Sequence, residues 1–367
     1  MKLKYFMPSL AVPIFLSMVL ICTQTPFSQE RLQFNLSEVS SLEYVYSVLI
    51  LGGGIAGLNA AHAIARAGYQ PLLIEGPLPG GLITKSNSVQ NWPGEIEISG
   101  SELAKKLKTQ VEHSNTDIVQ ETATYVNLTT WPFTVTTQSL TDPSKKTVHQ
   151  ALSIIITMGA TPHYLGVQGE HEYWGRGISN CVTCDGFLYT NKVVGIVGGG
   201  DAAMTEAYEL SRYAKKVYIF VRSKELRAQD KIKNEVLTKD NIEFLFETQV
   251  TEIIGDTEGV TGVRIIHKDT PAQIISLDGL FLAIGSTPNS KLFKNQLELY
   301  GPGYITLKEH QQTSCKGVFA AGDISDPIFR QADTAVGRAK EAALQALDFL
   351  KHLNYDSYIK QKDINEN

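Results

Sequence analysis

Cysteine is scarce in this 367-residue chain, and a surplus of positive charge is absent. Four cysteines (Cys22, Cys181, Cys184 and Cys315) are too few for a small secreted scaffold held together by disulfides. The formal net charge of −5 gives no electrostatic reason to expect nucleic acid as a partner. Hydrophobic residues make up 43% and charged residues 19%, which is typical of a globular protein. The length of 367 residues is enough for about two domains.

The N-terminal segment is apolar behind a positive start. Lys2 and Lys4 precede a run from about Phe6 to Cys22, the pattern of a secretory signal or a membrane anchor. The run has roughly 17 residues, the short limit for crossing a bilayer. We therefore interpret residues 1–22 as a signal peptide or membrane anchor and residues 23–43 as a polar tether. Cleavage, retention and lipidation at Cys22 all remain open.

The first nucleotide-binding pattern is "YSVLILGGGIAGLNAAHAIARAGYQPLLIEG". Its parts are a strand at Val48–Leu51, the turn Gly52-x-Gly54-x-x-Gly57, a helix ending near Gly68 and a strand at Pro71–Ile74. The first glycine permits a tight turn, the second lets the backbone approach a pyrophosphate, and the third lets helix and strand pack closely. Glu75 ends the second strand, where an acid suits a ribose diol. The unit therefore predicts a dinucleotide site.

A second pattern of the same kind follows about 145 residues later, and basic residues follow its second strand. Its parts are a strand at Val193–Val197, the turn Gly198-x-Gly200-x-x-Ala203, a helix to about Tyr213 and a strand at Val217–Val221. Arg222, Lys224 and Arg227 follow that strand in place of an acid. Basic residues at this point suit the 2′-phosphate of NADP. Two such units in one chain are typical of enzymes that hold a flavin and a nicotinamide.

The segment "CVTCDG" places Cys181 and Cys184 three positions apart, directly before Asp185. A zinc site would need two further ligands, and the eight histidines form no suitable pair. A purely structural disulfide would close a very small loop and add little stability. A redox-active disulfide is favoured, because one sulfur of such a pair can attack a partner disulfide and the other can resolve it. Asp185 could exchange a proton with a thiolate or cap the following turn.

From Tyr44 to Leu350 the chain resembles the low-molecular-weight thioredoxin reductases. Besides the two glycine turns, the similar segments are "GGLITKSNSVQNWPGE", "TMGATPHYLGVQGE", "CVTCDG", "LAIGSTPNSKLF" and "GVFAAGDISDPIFRQA". The sequence departs from the family at Leu82, where a glutamine is usual, and at Ser223, where the family has a second arginine at the NADPH phosphate.

The resemblance implies an α/β fold of two Rossmann-like three-layer dinucleotide-binding domains. The FAD domain is expected at residues 44–159 and 285–352, with the NAD(P)H domain inserted at residues 160–284 and a polar tail at 353–367. The implied FAD residues are Gly52, Gly54, Gly57, Glu75, Gly81, Asn91, Asp323, Arg330, Gln331 and Ala332. The implied NADPH residues are Gly198, Gly200, Ala203, Arg222 and Arg227. The implied catalytic residues are Cys181, Cys184 and Asp185, with Cys184 closest to the flavin.

The resulting hypothesis is an enzyme that passes electrons from NADPH through FAD to the Cys181–Cys184 disulfide and on to thioredoxin or a thioredoxin-like protein. The resemblance also implies a homodimer and a domain rotation about hinges at Gly159-Ala160 and Gly285-Ser286. An exported FAD-dependent dithiol oxidase that uses oxygen is the nearest alternative, and a non-catalytic nucleotide-binding redox sensor is a third. Localisation stays open, because the N-terminus suggests export or membrane attachment whereas the family is usually cytoplasmic.

Overall fold

The computed structural model describes residues 44–268 and 270–355. The predicted signal or anchor, the tether and most of the polar tail lie outside these residues. The helices described are α1 (Ile55–Arg66), α2 (Gly100–Glu112), α3 (Val182–Asp185), α4 (Asp201–Leu210), α5 (Asp230–Leu237) and α6 (Ala332–His352), with 3-10 turns at Leu82–Lys85, Gly186–Tyr189 and Lys291–Phe293. Among the described residues, no helix has the length and apolar character needed to cross a membrane.

The strands alternate with helices only in part of the chain, since several strands follow one another without a helix between them. In chain order they are β1 (Tyr46–Leu51), β2 (Leu72–Ile74), β3 (Asp117–Val119), β4 (Glu121–Asn127), β5 (Phe133–Ser139), β6 (Lys146–Ile156), β7 (Ala160–Pro162), β8 (Ile178–Ser179), β9 (Val193–Val197), β10 (Lys216–Val221), β11 (Ile242–Phe246), β12 (Thr248–Gly255), β13 (Val260–His267), β14 (Gln273–Ser276), β15 (Gly279–Leu282), β16 (Ser286–Pro288), β17 (Leu299–Tyr300), β18 (Tyr304–Ile305) and β19 (Val318–Ala320).

The first sheet combines both ends of the described chain. Its order is β3-β2-β1-β6-β5-β4, and β19 pairs with the last residues of β6. β1, β2, β3 and the end of β6 are parallel, whereas β4 and β5 are antiparallel additions. We call residues 44–159 and 285–355 the first lobe. Its core lies where α1 and α6 pack on the sheet through buried alanines such as Ala60 and Ala342, whose small side chains let the two helices approach closely.

The second lobe, residues 160–284 apart from residue 269, contains a fully parallel sheet in the order β11-β10-β9-β15-β8. α4 packs against this sheet through Ala203, Met204, Ala207 and Leu210, which are all buried. The antiparallel sheet β12-β13-β14 is inserted between β11 and β15. Each lobe thus carries a Rossmann-like parallel sheet, which confirms the predicted α/β fold class.

The two chain segments that connect the lobes lie side by side. β7 and β16 form an antiparallel ribbon, with Thr161 opposite Thr287. Gly159 and Gly285 precede these strands with φ of 64° and 91°, a region that glycine enters without steric cost. The ribbon therefore begins at the two predicted hinge positions. All described residues nonetheless belong to one compact unit, so the division into two domains stays a prediction.

The sequence predictions of the local elements agree with the structure within a few residues. β9 has the predicted bounds, whereas β1 begins two residues before the expected Val48. α4 ends at Leu210, earlier than the predicted Tyr213, and hydrogen-bonded turns continue the chain to that residue. These differences lie at element ends, where terminal turns merge gradually into helix or strand.

Candidate active site

A cavity of about 960 Å³ opens between the two lobes. Residues predicted to hold a flavin line it on the side of the first lobe, and the second lobe contributes Cys181, Cys184 and Asp185. The predicted flavin residues in its lining are Gly52, Gly54, Glu75, Gly81, Asn91, Asp323, Arg330, Gln331 and Ala332. Residues far apart in the sequence thus share one cavity, large enough for a cofactor.

The glycine turn after β1 leaves no room for side chains on its inner face. Gly52 has a φ of 109°, and a Cβ there would lie 2.5 Å from the Thr157 carbonyl oxygen. Gly57 does not line the cavity, because it packs directly against the backbone of Gly52. Gly54 is the N-cap of α1 and offers no side-chain cap, so the first-turn N–H groups of the helix are available to an anion. This cradle fits the pyrophosphate of a dinucleotide.

Glu75 stands at the carboxyl end of β2, inside the same cavity. Its side chain is buried, and Lys108 of α2 places its ammonium 2.9 Å from the carboxylate. The ion pair offsets the cost of burying the carboxylate, which can then accept hydrogen bonds from a ribose diol. Lys108 was not predicted from the sequence, because nothing in the local pattern of α2 links it to Glu75.

Cys181 and Cys184 form a disulfide at the start of α3, facing the cavity. The sulfur of Cys181 accepts a hydrogen bond from the Cys184 backbone N–H at 3.1 Å. From the first lobe, Gln331 donates its Nε2–H to the Cys181 sulfur at 3.3 Å, and its Oε1 lies 3.5 Å from the Cys184 sulfur. The same Oε1 accepts a hydrogen bond from Asn91 at 3.0 Å. One predicted flavin residue, Gln331, thus contacts the disulfide across the lobes, and a second, Asn91, contacts Gln331.

The structure bears on two questions left open for "CVTCDG": whether the cysteines bind zinc, and whether Asp185 caps the following turn. Since the sulfurs are bonded to each other, they are not ligands of a zinc ion in this structure. Among residues 44–268 and 270–355, no cluster of three metal-ligating side chains occurs. Asp185 occupies the N-cap position of the turn Gly186–Tyr189, as the capping alternative predicts, but its side chain makes no capping hydrogen bond there. Burial raises the pKa of Asp185, and a hydrogen bond from Ser179 partly counters that effect.

A carboxyl group on α4 and a guanidinium group of the first lobe, both on half-buried residues, interact electrostatically. Burial, with a smaller contribution from Glu209, raises the pKa of Glu206 to about 8, and the positive charge of Arg330 opposes the rise. The Glu206 Oε2 and Arg330 Nε atoms are both buried without a hydrogen-bond partner. The pKa of Asp323 is also raised by burial and lowered in part by Arg330. Glu206 was missed from the sequence, although it directly precedes the buried Ala207.

The second glycine turn, after β9, is built by the same steric logic. A Cβ on Gly198 would lie 2.6 Å from the Ala283 oxygen and 2.8 Å from the Cβ of Ala203, so both positions need small residues. A Cβ on Gly200 would meet no atom within 4 Å, which leaves the turn open on that side. Like α1, α4 has no side-chain cap at its N-terminus. The turn therefore suits a second dinucleotide.

The predicted phosphate-binding arginines occupy different places. Arg222 lines a second cavity, of about 400 Å³, together with Lys224, Glu247 and Lys268. Arg227 lines neither cavity, although its backbone N–H donates to Gly199 of the glycine turn at 2.7 Å. Lys268 was missed from the sequence, because it follows β13 and lies 46 positions after Arg222 along the chain.

Residues 46–339 match the model of the pyridine nucleotide-disulphide oxidoreductases, and the chain belongs to this family. A relative from Coxiella burnetii, named thioredoxin reductase, is 38% identical over 319 residues, covering 84% of this chain and 98% of the relative. A relative from Pseudomonas fluorescens, named glucosaminate ammonia-lyase, is also 38% identical, covering 83% of this chain and 96% of the relative.

Among solved structures, the thioredoxin reductase from Giardia duodenalis superposes with a TM-score of 0.80 at 34% identity. The superposition covers 84% of this chain and all of that chain. The resemblance described from the sequence motifs is thereby confirmed at the level of the family and of the fold.

Proposed function

We propose that this chain is an FAD-dependent thioredoxin-disulfide reductase that takes electrons from NADPH. The observation that carries the proposal is the Cys181–Cys184 disulfide, which faces the same cavity as the predicted flavin residues. The relatives named thioredoxin reductase support the assignment over almost their whole length. The name ammonia-lyase has less support from the site, since an elimination reaction has no evident use for a disulfide in the cavity.

The first lobe has the groups that FAD requires. When bound, FAD would accept a hydride from NADPH and make an electron pair available to the disulfide. The turn Gly52–Gly54 would hold its pyrophosphate, Glu75 its ribose and Asp323 its ribityl chain. Gln331 already contacts both sulfurs, so it would keep the disulfide against the flavin ring.

The second lobe supplies the residues that exchange electrons and protons with the partner. After the Cys181–Cys184 bond is reduced, one thiolate would attack the disulfide of thioredoxin and form a mixed disulfide. The other sulfur would then displace the thioredoxin dithiol and restore the Cys181–Cys184 bond. Asp185 would give a proton to the departing thiolate, a role that its raised pKa favours because the carboxyl group retains its proton to higher pH.

The arrangement also supports the predicted movement of the lobes. The disulfide is in contact with Gln331 of the first lobe, so a protein partner would need the lobes to separate or turn before reaching the sulfurs. The β7–β16 ribbon with its glycines at 159 and 285 is the proposed hinge. The contacts between Asn87 and Gly175 and between Lys85 and Tyr164 would break in that movement.

The oxidase and sensor alternatives gain no support from the relatives, whose names are those of a reductase and a lyase. A homodimer stays a prediction from the resemblance. Membrane attachment or export stays a prediction from residues 1–22, which lie outside the described part of the chain.

The proposal is tested by following NADPH oxidation with oxidised thioredoxin as the electron acceptor. We expect turnover with the unmodified protein, and loss of it in Cys181→Ser and Cys184→Ser, because either change removes the disulfide. Cys315→Ser is the matched control, since that half-buried thiol lies outside the cavity. NADPH consumption that does not depend on thioredoxin, or turnover that survives Cys184→Ser, would contradict the proposal.

A further inference from the structure

The cavity of about 400 Å³ in the second lobe is lined by three cationic side chains from two parts of the chain. Arg222 and Lys224 come from the loop after β10, and Lys268 comes from the end of β13. Only the first two belong to the basic segment that was recognised in the sequence. Lys268 is brought to the same cavity by the fold of the inserted antiparallel sheet.

The cavity lies on the edge of the parallel sheet where a dinucleotide would bind. β10 and β11 are parallel, and Arg222 and Glu247 directly follow their carboxyl ends. Ligands of open parallel sheets bind outside these ends. The bond from Arg227 N–H to the Gly199 carbonyl oxygen ties the basic loop to the glycine turn. The cavity is therefore positioned beside the adenosine end of a nucleotide held by that turn.

The charges in the cavity match a phosphate dianion. Glu247 is the acid among the lining residues, and its Oε2 lies 2.6 Å from the Lys268 ammonium. The Lys268 backbone N–H also donates to the Glu247 carbonyl oxygen at 3.2 Å, which holds the two residues together. Three positive charges and one negative charge leave a net charge of +2, and a phosphate monoester carries about −1.5 to −2 at neutral pH.

An acidic residue at the N-terminus of α4 increases the contribution that these cations must make to coenzyme binding. Asp201 lies in the first turn of that helix, where the pyrophosphate of a coenzyme would approach. A carboxylate at this position opposes a second anion, so cations elsewhere in the lobe must contribute more of the affinity.

We propose that Lys268, together with Arg222 and Lys224, binds the 2′-phosphate of NADPH and so determines the preference for NADPH over NADH. The inference rests on the proposed function for the identity of the coenzyme. Lys268 supplies positive charge at the position where Ser223 leaves the second lobe one arginine short of the family pattern. NADH has a hydroxyl group in place of the 2′-phosphate and gains nothing from this charge.

The test is calorimetric titration of the full-length holoenzyme with 2′,5′-ADP and with 5′-AMP, which differ by the 2′-phosphate alone. We expect Lys268→Gln to weaken the binding of 2′,5′-ADP about tenfold, the effect of one charge-assisted contact, and to leave 5′-AMP unchanged. Lys215→Gln is the matched control. It removes the same charge from an exposed lysine of the same lobe at the opposite, amino-terminal end of β10.

Kinetics give a second measurement on the same variants. Lys268→Gln should lower kcat/KM for NADPH and leave that for NADH unchanged, whereas Lys215→Gln should alter neither. The inference is overturned if the unmodified protein binds 2′,5′-ADP no more tightly than 5′-AMP, if Lys268→Gln weakens both ligands equally, or if Lys215→Gln has the same effect. Because the titration needs no thioredoxin, its result is independent of whether thioredoxin is the substrate.

Discussion

At the scale of single residues, the burial of the Asp185 carboxyl group bears directly on its proposed role as a proton donor. Burial raises its pKa, so its proton is retained to higher pH than in an exposed aspartate. A proton donor beside the disulfide is useful only while it is protonated. Asp185 therefore stops acting as a proton donor as the pH rises through the pKa that its carboxyl group has in the folded protein.

The Asp185→Asn substitution keeps the shape of the side chain and removes the transferable proton. We expect turnover with thioredoxin to fall by about 10²-fold, a typical effect for the loss of a general acid. We also expect turnover of the unmodified enzyme to decline at alkaline pH, and this decline to be absent in the variant. The measurement is kcat against pH, with reduction of the flavin by NADPH followed separately. An equal loss in flavin reduction would show that Asp185 has a structural role instead.

Gly52 is required by backbone geometry as well as by function. Its φ of 109° disfavours other residues, and a Cβ would lie 2.5 Å from the Thr157 oxygen. We expect Gly52→Ala to purify with little bound flavin, because the turn cannot keep its shape. Gly337→Ala in α6 is the control, since a Cβ there meets no atom within 4 Å. The ratio of flavin to protein absorbance checks both, and normal flavin content in Gly52→Ala would contradict this account of the cradle.

At the scale of elements, α4 brings a buried carboxyl group against the first lobe. The ordinary pKa of a glutamate is 4.5, and that of Glu206 is raised to about 8. Between these values the unfolded chain releases a proton that the folded protein keeps. Stability therefore falls as the pH rises from about 4.5 to about 8, and the cost is constant above that range.

Glu206→Gln removes this cost, because a neutral amide cannot ionise. We expect the variant to be more stable than the unmodified protein at about pH 9, by on the order of 2–4 kcal/mol, and to lose most of that advantage near pH 5. Urea unfolding at the two pH values measures the difference. Glu235→Gln, on the exposed face of α5, should change stability little at either pH. An advantage for Glu206→Gln that is the same at both pH values would contradict the argument.

The β7–β16 ribbon permits a test of lobe movement. Lys85 of the first lobe and Tyr164 of the second meet with 3.4 Å between the ammonium and the hydroxyl. We expect a Lys85→Cys, Tyr164→Cys pair, joined by a bismaleimide in the oxidised protein, to lose turnover and keep its flavin. Lys85→Cys treated with the same reagent is the control. Full turnover in the joined protein would rule out the hinge.

At the scale of the whole molecule, the sequence predicted what depends on local pattern. The glycine turns, the bounds of β9 and the pairing of Cys181 with Cys184 follow from spacing and residue type. The contacts of Gln331 with the disulfide and of Lys108 with Glu75 join residues distant in the chain. Neither contact leaves a periodic signal, because it depends on how helices and lobes pack after the local elements have formed.

The same limit explains the outcome for the phosphate-binding residues. Arg222 and Arg227 were predicted from the basic run after β10, and only Arg222 lines the cationic cavity. Lys268 enters that cavity through the β12–β13 hairpin, an insertion that the dinucleotide-binding pattern does not predict. The composition of a site formed by two distant segments becomes visible only when the fold brings them together.

The central claim is that electrons pass from NADPH through a flavin to the Cys181–Cys184 disulfide. The most direct test is an anaerobic titration of the full-length protein with NADPH, followed by flavin absorbance, with a Cys181→Ser, Cys184→Ser double variant in parallel. The account predicts that the unmodified protein takes up one more electron pair per flavin than the variant, and that oxidised thioredoxin restores its absorbance. Bleaching by small dithiols but not by NADPH, with recovery only in air, would contradict the account and indicate an oxidase.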